Sequence, residues 1–458
     1  MENANLKRSV LIVATVSSFL TPFVGSSTNV ALPSIQSEFH LDAIVLAWVP
    51  TAYLLSCAVF LVPFGKMADL YGRKKIFIYG IWIFTISSLV TAASLTGTML
   101  LMARVIQGMG SAMIFATSLA ILTSVFPSQE RGKAIGITVT AVYIGLSTGP
   151  FVGGVLTHHF TWRAIFVVTI PLGIMAIYLS TWKLVGEWAE AKGETLDVVG
   201  SILYGVAILF VMYGFSVLPS INSLWALLLG LALFGLFIYW ERKVPSPVVN
   251  LDLFSGNRTF ALSSLAALIN YSATFAVTFM LSLYLQYIKG YSPQSSGVVL
   301  MAQPIVMAMV SPLAGIISDR VQPRKIASFG MAMTAIGLFS LTFLEFSTSI
   351  TFIVAVLVLL GFGFALFSSP NMNAIMSSVD RKFYGIASGT VGSMRLLGNM
   401  LSMGIATLVF SLHIGPVQIT PQYYAVFLES MKTAFTIFAV LCVLGIFASL
   451  ARGKLDRT

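Results

Sequence analysis

An all-α integral membrane protein, built as two six-helix halves with an inserted two-helix hairpin, is the fold class this sequence predicts. Three observations carry it: a composition too apolar for a water-soluble surface, fourteen apolar runs of spanning length, and a loop motif that recurs at an offset of 250 residues. Of the 458 residues, 57% are hydrophobic and 9% are charged, and the mean hydropathy is +0.92. A soluble domain carries about 25% charged residues, so this chain lacks the polar side chains to cover a wetted surface. Disorder is excluded on the same ground. Two cysteines, Cys57 and Cys442, exclude a disulfide scaffold or thiolate cluster.

A spanning helix needs roughly 20 mostly apolar residues. Such runs lie near 9–32, 44–64, 76–96, 98–125, 134–157, 162–184, 196–218, 222–240, 259–287, 296–317, 324–344, 349–375, 385–411 and 431–450. The separators are short and polar or rich in Pro and Gly, which leaves no room for a sizeable soluble domain. The first run is too long for a signal-peptide core and has no small-residue cleavage site, so it is expected to stay as the first helix. Continuous apolar runs, rather than alternation, argue against a β-barrel.

Charge placement tests the count. With the N-terminus in the cytoplasm, 21 of the 26 basic residues fall inside, and Arg163, Lys289 and Lys432 fall outside. Two, Arg104 and Arg395, lie within spans. The positive-inside rule expects this split. It predicts a multi-pass cell-membrane protein with both termini cytoplasmic, whose net charge of +10 reports topology and contact with anionic headgroups rather than nucleic acid.

Gly65-Lys-Met-Ala-Asp69-Leu-Tyr-Gly72-Arg73-Lys74-Lys75 joins the second and third spans. Gly315-Ile-Ile-Ser-Asp319-Arg320-Val-Gln-Pro323-Arg324-Lys325 repeats it 250 residues on. Two such loops at equal offset predict duplicated halves with a substrate site between them. The expected boundaries are 1–190 for the first half, 191–245 for the hairpin and 246–458 for the second half. A carboxylate at a helix end can hold orphan N–H groups or a base. The expectation is a conformational latch of Gly65, Asp69, Gly72, Arg73, Arg131 and Asp319, in which Asp69 holds the Arg131 region in one state and releases it in the other. A plain positive-inside loop explains the bases but not the Gly-xxx-Asp-xx-Gly spacing.

The fifth span carries Gly145, Gly149, Pro150, Gly153 and Gly154. Gly145, Gly149 and Gly153 form one stripe at i, i+4, i+8, which permits close helix contact. Pro150 removes a backbone donor and predicts a kink. The pair of features predicts a helix at the moving interface between the halves.

Taken together, these motifs resemble the major facilitator superfamily, in particular its fourteen-helix drug:proton antiporter branch, the quaternary-ammonium and multidrug efflux type. Gly65–Lys75 matches its loop motif, Arg104-Val-Ile-Gln107-Gly108-Met-Gly110-Ser-Ala112 its fourth-helix motif, and Gly136–Gly154 its antiporter motif. Asn29-Val-Ala31-Leu32-Pro33, Trp48, Tyr53, Pro63, Leu283-Tyr284-Leu285-Gln286, Gly290-Tyr291-Ser292-Pro293 and Pro304 match further stretches. The resemblance implies the major facilitator fold and a monomeric rocker-switch transporter that exports amphipathic, often cationic drugs against proton entry. It implies no cofactor.

One position departs from that pattern: the branch often carries an Asp seven residues before Ala31, and here Val24 stands there. None of the sixteen acids falls in mid-membrane. Proton relays in membranes are normally Asp, Glu or His chains. The proton-pathway candidates are therefore Arg104, Asp69, His158 and His159. Arg104 has two readings: part of the proton path, as its motif implies in the family, or a donor to carbonyls and Gln107 across a packed interface. Arg395 faces a substrate anion or snorkels along its helix. His158 and His159 close the fifth span and titrate in the physiological range, or are a solvated loop end. The substrate-cavity candidates are Asn29, Tyr53, Gln107, Asn270, Tyr271, Tyr284, Gln303, Asn371, Asn373, Arg395 and Asn399, with Asn371 and Asn373 expected beside a helix break at Pro370.

Proton-driven efflux has one rival in the sequence: a facilitator or flippase of lipid-like or anionic amphiphiles, motivated by Val24 and the two intramembrane arginines. A receptor or purely structural role leaves the duplicated loop and the Gly-Pro span without a use. No Ser/His/Asp arrangement, metal cluster or Walker sequence is present in the chain, which argues against an enzyme and against ATP driving.

Overall fold

The computed structural model describes residues 2–184, 186–189, 195–218, 220–245, 247–249, 251–379 and 384–453. The first group of helices is α1 (Glu2–Phe39), α2 (Ala43–Tyr71), α3 (Arg73–Ala92), α4 (Gly97–Val125), α5 (Ser128–His159) and α6 (Arg163–Lys183). A hairpin of α7 (Val198–Val217) and α8 (Ile221–Glu241) follows, then the short α9 (Asp252–Gly256). The second group is α10 (Arg258–Leu283, extended by a π-helical turn Tyr284–Ile288), α11 (Pro293–Leu300), α12 (Ala302–Arg320), α13 (Pro323–Leu341), α14 (Ile350–Ser377), α15 (Tyr384–His413) and α16 (Tyr424–Ala451). The end of the bundle that carries Lys7, Asp69–Lys75, Arg320–Lys325 and Arg452 is called the basic end below, and the opposite one the far end.

Among the described residues, thirteen helical stretches are long and apolar enough to cross a membrane. The fourteenth predicted run is α13, a 19-residue helix whose first turn holds Arg324 and Lys325. The predicted run 296–317 is divided into α11 and α12 at Met301. Pro304 has no N–H for the Leu300 carbonyl one turn back, which weakens the helix there. At Pro370 no break occurs, and α14 runs through it.

Helix starts follow their caps. The side chains of Asp42, Thr96, Asp197, Asn257, Ser292 and Ser349 each accept the backbone N–H three residues on. Gly72, between α2 and α3, has φ +118°, and a Cβ there would lie 2.4 Å from the Glu187 carboxyl carbon. Only glycine fits that backbone and that space. Glu187 in turn accepts from the Lys74 backbone N–H at 2.8 Å, so the segment after α6 grips the α2–α3 turn.

Within the first group, α1 packs on α5 and α6, α2 on α4, and α3 on α4 and α6. Within the second, α10 packs on α15 and α16, α12 on α14, and α13 on α14 and α16. At the far end of the first group, Arg163 holds Glu38 through two bonds of 2.7 and 2.6 Å and also donates to the Ser94 carbonyl at 2.8 Å. The hairpin leans on both groups: the Tyr204 hydroxyl donates to Ala58 O of α2 at 3.2 Å, and the Ser411 hydroxyl of α15 donates to Leu218 O at 2.5 Å. It thereby covers one side of the α2–α15 contact.

Candidate functional site

Where the groups meet, the far end is stitched shut. The Ser282 hydroxyl donates to Asn29 O at 2.7 Å, the Gln286 amide to Val30 O at 2.9 Å, and the Tyr287 hydroxyl to the Gln36 side chain. His159 Nε2 stands 3.1 Å from Gln294 Oε1, and the Ala43 N–H donates to Val417 O at 2.9 Å. Among the described residues, every hydrogen bond that crosses between the two groups lies at this end. The π-helical turn Tyr284–Ile288 carries Gln286 and Tyr287, two of the side chains that bond to α1. Nothing in the residue pattern marks that turn.

The backbones also close here. A Cβ on Gly297 of α11 would stand 2.1 Å from the Pro150 carbonyl oxygen, and a Cβ on Gly154 would stand 2.5 Å from the Pro293 carbonyl oxygen. Toward the basic end there is free space beside three glycines. A Cβ added at Gly136 of α5, or at Gly389 or Gly392 of α15, would meet nothing within 4 Å.

The glycine stripe of α5 does not face the other group. Gly145, Gly149 and Gly153 lie against Phe19, Ser26 and Ser27 of α1, and Ser27 donates to Gly149 O at 2.9 Å. The expectation of a moving interface is corrected here for those three positions: helical periodicity identifies a face but not its partner. Gly154 and the Pro150 carbonyl, offset from the stripe, make the crossing contact, and α5 is continuous through Pro150.

The latch also differs from expectation. Asp69 accepts from Arg73, one turn on, at 2.8 Å, and Arg73 reaches Ser124 of α4 at 2.8 Å. Arg131 is exposed and its Nε donates to Phe126 O at 2.8 Å, so Asp69 does not hold it in this conformation. Gly65 lies 4.0 Å, measured from an added Cβ, from Ala116. The side chain of Asp319 lies outside the described residues.

Arg104 is fully buried in the first group. Its Nε donates to Val49 O at 3.2 Å, its Nη1 to Gln107, and its plane lies 4.4 Å from the centre of the Tyr53 ring. Gln107 donates to Ser88 and Tyr53 to Ser111, both at 2.8 Å. These are the contacts of a packed interface, with donation to a carbonyl and to Gln107. Gln107 and Tyr53 are part of that interface rather than exposed to an open cavity.

A second buried arginine was not foreseen. Arg452, at the end of α16, is 2% exposed. It donates to Asn371 Oδ1 at 2.6 Å, Ser263 Oγ at 3.1 Å, Ser449 O at 2.8 Å and Ser449 Oγ at 2.6 Å. Burial, with Arg324 nearby, lowers its pKa to about 10, so it remains protonated at neutral pH. In sequence it reads as one more terminal base. Asn371, expected in the cavity, is the cornerstone of this network, and its amide also donates to Ser263 O at 3.1 Å. Asn373 donates to Ser318 Oγ at 2.9 Å. Tyr284 is buried at the far end and donates to Glu345 O at 2.6 Å. These three asparagine and tyrosine positions are tied within the second group.

The remaining cavity candidates are placed differently. Asn29 is buried beside the far-end seam, and Gln303 is buried on α12. Asn270 is fully buried on α10 with neither amide atom partnered, and Asn399 Oδ1 is likewise buried without a partner. Tyr271 stacks edge-on against Phe364, with ring centres 5.5 Å apart. Arg395 of α15 crosses the divide, with its guanidinium 5.6 Å from the centre of the Phe115 ring on α4. His158 and His159 are exposed, their ring centres 4.9 Å apart, and His159 is at the seam with Gln294.

Comparison with known proteins follows the same lines. The chain is 29% identical over 437 residues to the riboflavin transporter RibZ of Clostridioides difficile (strain 630), covering 95% of both chains. It is 32% identical over 386 residues to the multidrug resistance protein Stp of Mycobacterium tuberculosis (strain CDC 1551 / Oshkosh), covering 82% of this chain and 71% of that protein. The fold matches the crystal structure of a D-xylose–proton symporter with a TM-score of 0.70 at 15% identity, covering 99% of this chain and 98% of the other. The sequence profile of the Major Facilitator Superfamily matches residues 14–403 and 263–457. A multi-pass bundle of this fold, with relatives of that kind across nearly its whole length, belongs to the Major Facilitator Superfamily and is a membrane transporter of small molecules.

Proposed function

We propose that the chain is a secondary active exporter in the cell membrane, carrying amphipathic small molecules outward against proton entry. The basic end faces the cytoplasm with both termini, and the far end faces outside. The halves 1–190 and 246–458 rock about a site between them, with 191–245 as a side shield, in a single monomeric chain. The observation that carries this reading is the one-sided seam: crossing hydrogen bonds and backbone contact at the far end, and open space beside Gly136, Gly389 and Gly392 toward the basic end. That asymmetry is what a carrier closed outside and open inside has. The relative Stp bears the name of a multidrug resistance protein, which supports amphipathic drugs as the cargo.

Protons couple at the ends rather than in mid-span, since no acid lies in mid-membrane. His159 is the candidate placed on the seam. It is held to Gln294 of the other group at 3.1 Å, so a change at this side chain acts directly on the closed end. Asp69 with Arg73 is the counterpart at the inner end.

Proteoliposomes with a trapped pH-sensitive dye test the reading. Substrate-dependent proton flux under an imposed pH gradient is expected, reduced in His159→Gln, which keeps a hydrogen bond to Gln294 but cannot titrate. Substrate movement indifferent to the gradient refutes antiport and leaves a facilitator or flippase, the reading that the missing mid-span acid favours.

A further inference from the structure

We propose that Arg395 anchors a binding site for an aromatic anion: a carboxylate, sulfonate or phosphate group carried on a flat apolar body. The inference rests on reading the chain as a transporter and names the class of its substrate.

The argument begins with a contrast among arginines. A guanidinium carries five N–H donors. Arg104 spends two of them on Val49 O and Gln107 and lays its plane on the Tyr53 ring. Those of Arg452 are engaged by Ser449, Ser263 and Asn371. Among the described residues, Arg395 has only the Phe115 ring face, and no hydrogen-bonding or carboxylate partner. A charged donor left unengaged within a membrane span faces a cavity or an absent partner.

Its position suits a ligand. Arg395 lies eleven residues into α15 from its basic end, about 16 Å along a helix that rises 1.5 Å per residue. Phe115 belongs to one group and Arg395 to the other, so the guanidinium stands where the halves meet. It is half-buried rather than sealed. Gly392, three residues before it, has open space beside it: an added Cβ would meet nothing within 4 Å.

The surroundings match one chemistry. No carboxylate is available in the spans to neutralise Arg395, so the counter-ion must come from the ligand. An oxyanion meets the planar fork through two parallel bonds. Aromatic faces stand beside it: Phe115, and Tyr271 edge-on to Phe364. Tyr271 is within electrostatic range of both Arg395 and Tyr143 of α5. A cation placed here has no carboxylate to meet and is repelled by Arg395.

Fluorescein is the test anion and ethidium its cationic counterpart, titrated against the full chain in phosphatidylcholine nanodiscs. Saturable fluorescein binding is expected, weakened about 10- to 100-fold in Arg395→Gln and less in Arg395→Lys, which keeps charge but not the fork. Phenylglyoxal labelling of Arg395 in the unaltered protein, read by mass spectrometry, is expected to fall when fluorescein is bound, and this arm needs no variant to fold. Adding phosphatidylglycerol separates the sources: unchanged binding supports a soluble aromatic anion, and competition assigns the oxyanion site to a lipid phosphate and overturns the aromatic class. Equal binding by wild type and Arg395→Gln together with unprotected Arg395, or tighter binding of ethidium than fluorescein, overturns the proposal. Arg395-dependent fluorescein binding with transport of neither dye in proteoliposomes keeps this inference and counts against the exporter reading. Ethidium transport together with fluorescein binding that ignores Arg395→Gln keeps the exporter reading and overturns this inference.

Discussion

Alanine at position 297 is expected to prop open the far end of the molecule. The Gly297 Cβ would stand 2.1 Å from the Pro150 carbonyl oxygen, 2.8 Å from its carbon and 3.3 Å from Phe151 Cα. Ordinary contact begins at 3.4 Å, so α11 and α5 must separate by about 1.3 Å, and no side-chain rotation relieves a clash with backbone. Overpacking of this kind costs about 1–3 kcal/mol. The cost falls on the far-end-closed state alone, because the helices are apart in the other. The equilibrium therefore shifts by about 5- to 150-fold toward opening of the far end. The assay is labelling of Asn29→Cys, at a residue 3% exposed beside the seam, by a membrane-impermeant maleimide. Both native cysteines are buried and stay silent. Labelling should rise in Gly297→Ala but not in Gly389→Ala, where the added methyl meets nothing within 4 Å. Unchanged labelling in Gly297→Ala, with transport intact, would refute the claim that this backbone contact closes the carrier.

Three other substitutions test the internal networks. Gly153→Ala, which meets Ser27 Cα at 2.9 Å within one half, is expected to lower thermal stability without changing Asn29→Cys labelling. Asn371→Leu removes the 2.6 Å bond to the buried Arg452 and should destabilise by about 1.5–3 kcal/mol, measured as a lower melting temperature in detergent, with Asn371→Asp recovering most of it. Arg104→Lys loses the Tyr53 ring contact and leaves Gln107 with a weaker partner, so about 1–3 kcal/mol of stability should go while residual transport by the folded fraction persists. Complete loss of proton flux in a fully stable Arg104→Lys would return Arg104 to the proton pathway.

Much of the fold was legible in the residues. Run length and charge position predicted the spans, and the 250-residue offset predicted the pairing of the Gly65 and Gly315 loops. The interior was less legible. Arg104 and Arg395 look alike in the sequence, each a lone base in an apolar run. One is consumed by Val49, Gln107 and Tyr53, and the other is left facing Phe115 across the divide. Asn371 and Asn399 look equally like cavity residues, yet Arg452, 81 residues away, engages only the first.

The sequence by itself determined that this chain lives in a membrane, where, among the described residues, thirteen of its fourteen apolar runs form helices long and apolar enough to cross one, which end is basic and to which family it is similar. Each of these depends on local composition, and apolar transfer free energy adds along a run of residues whatever their neighbours are. Tertiary structure alone decided that the α5 glycines face α1, that a π-helical turn lies at the far-end seam, and that Arg395, unlike Arg104, meets a ring of the other group across the divide. Those outcomes depend on partners brought together from distant parts of the chain, and a periodic face carries no record of what will cover it.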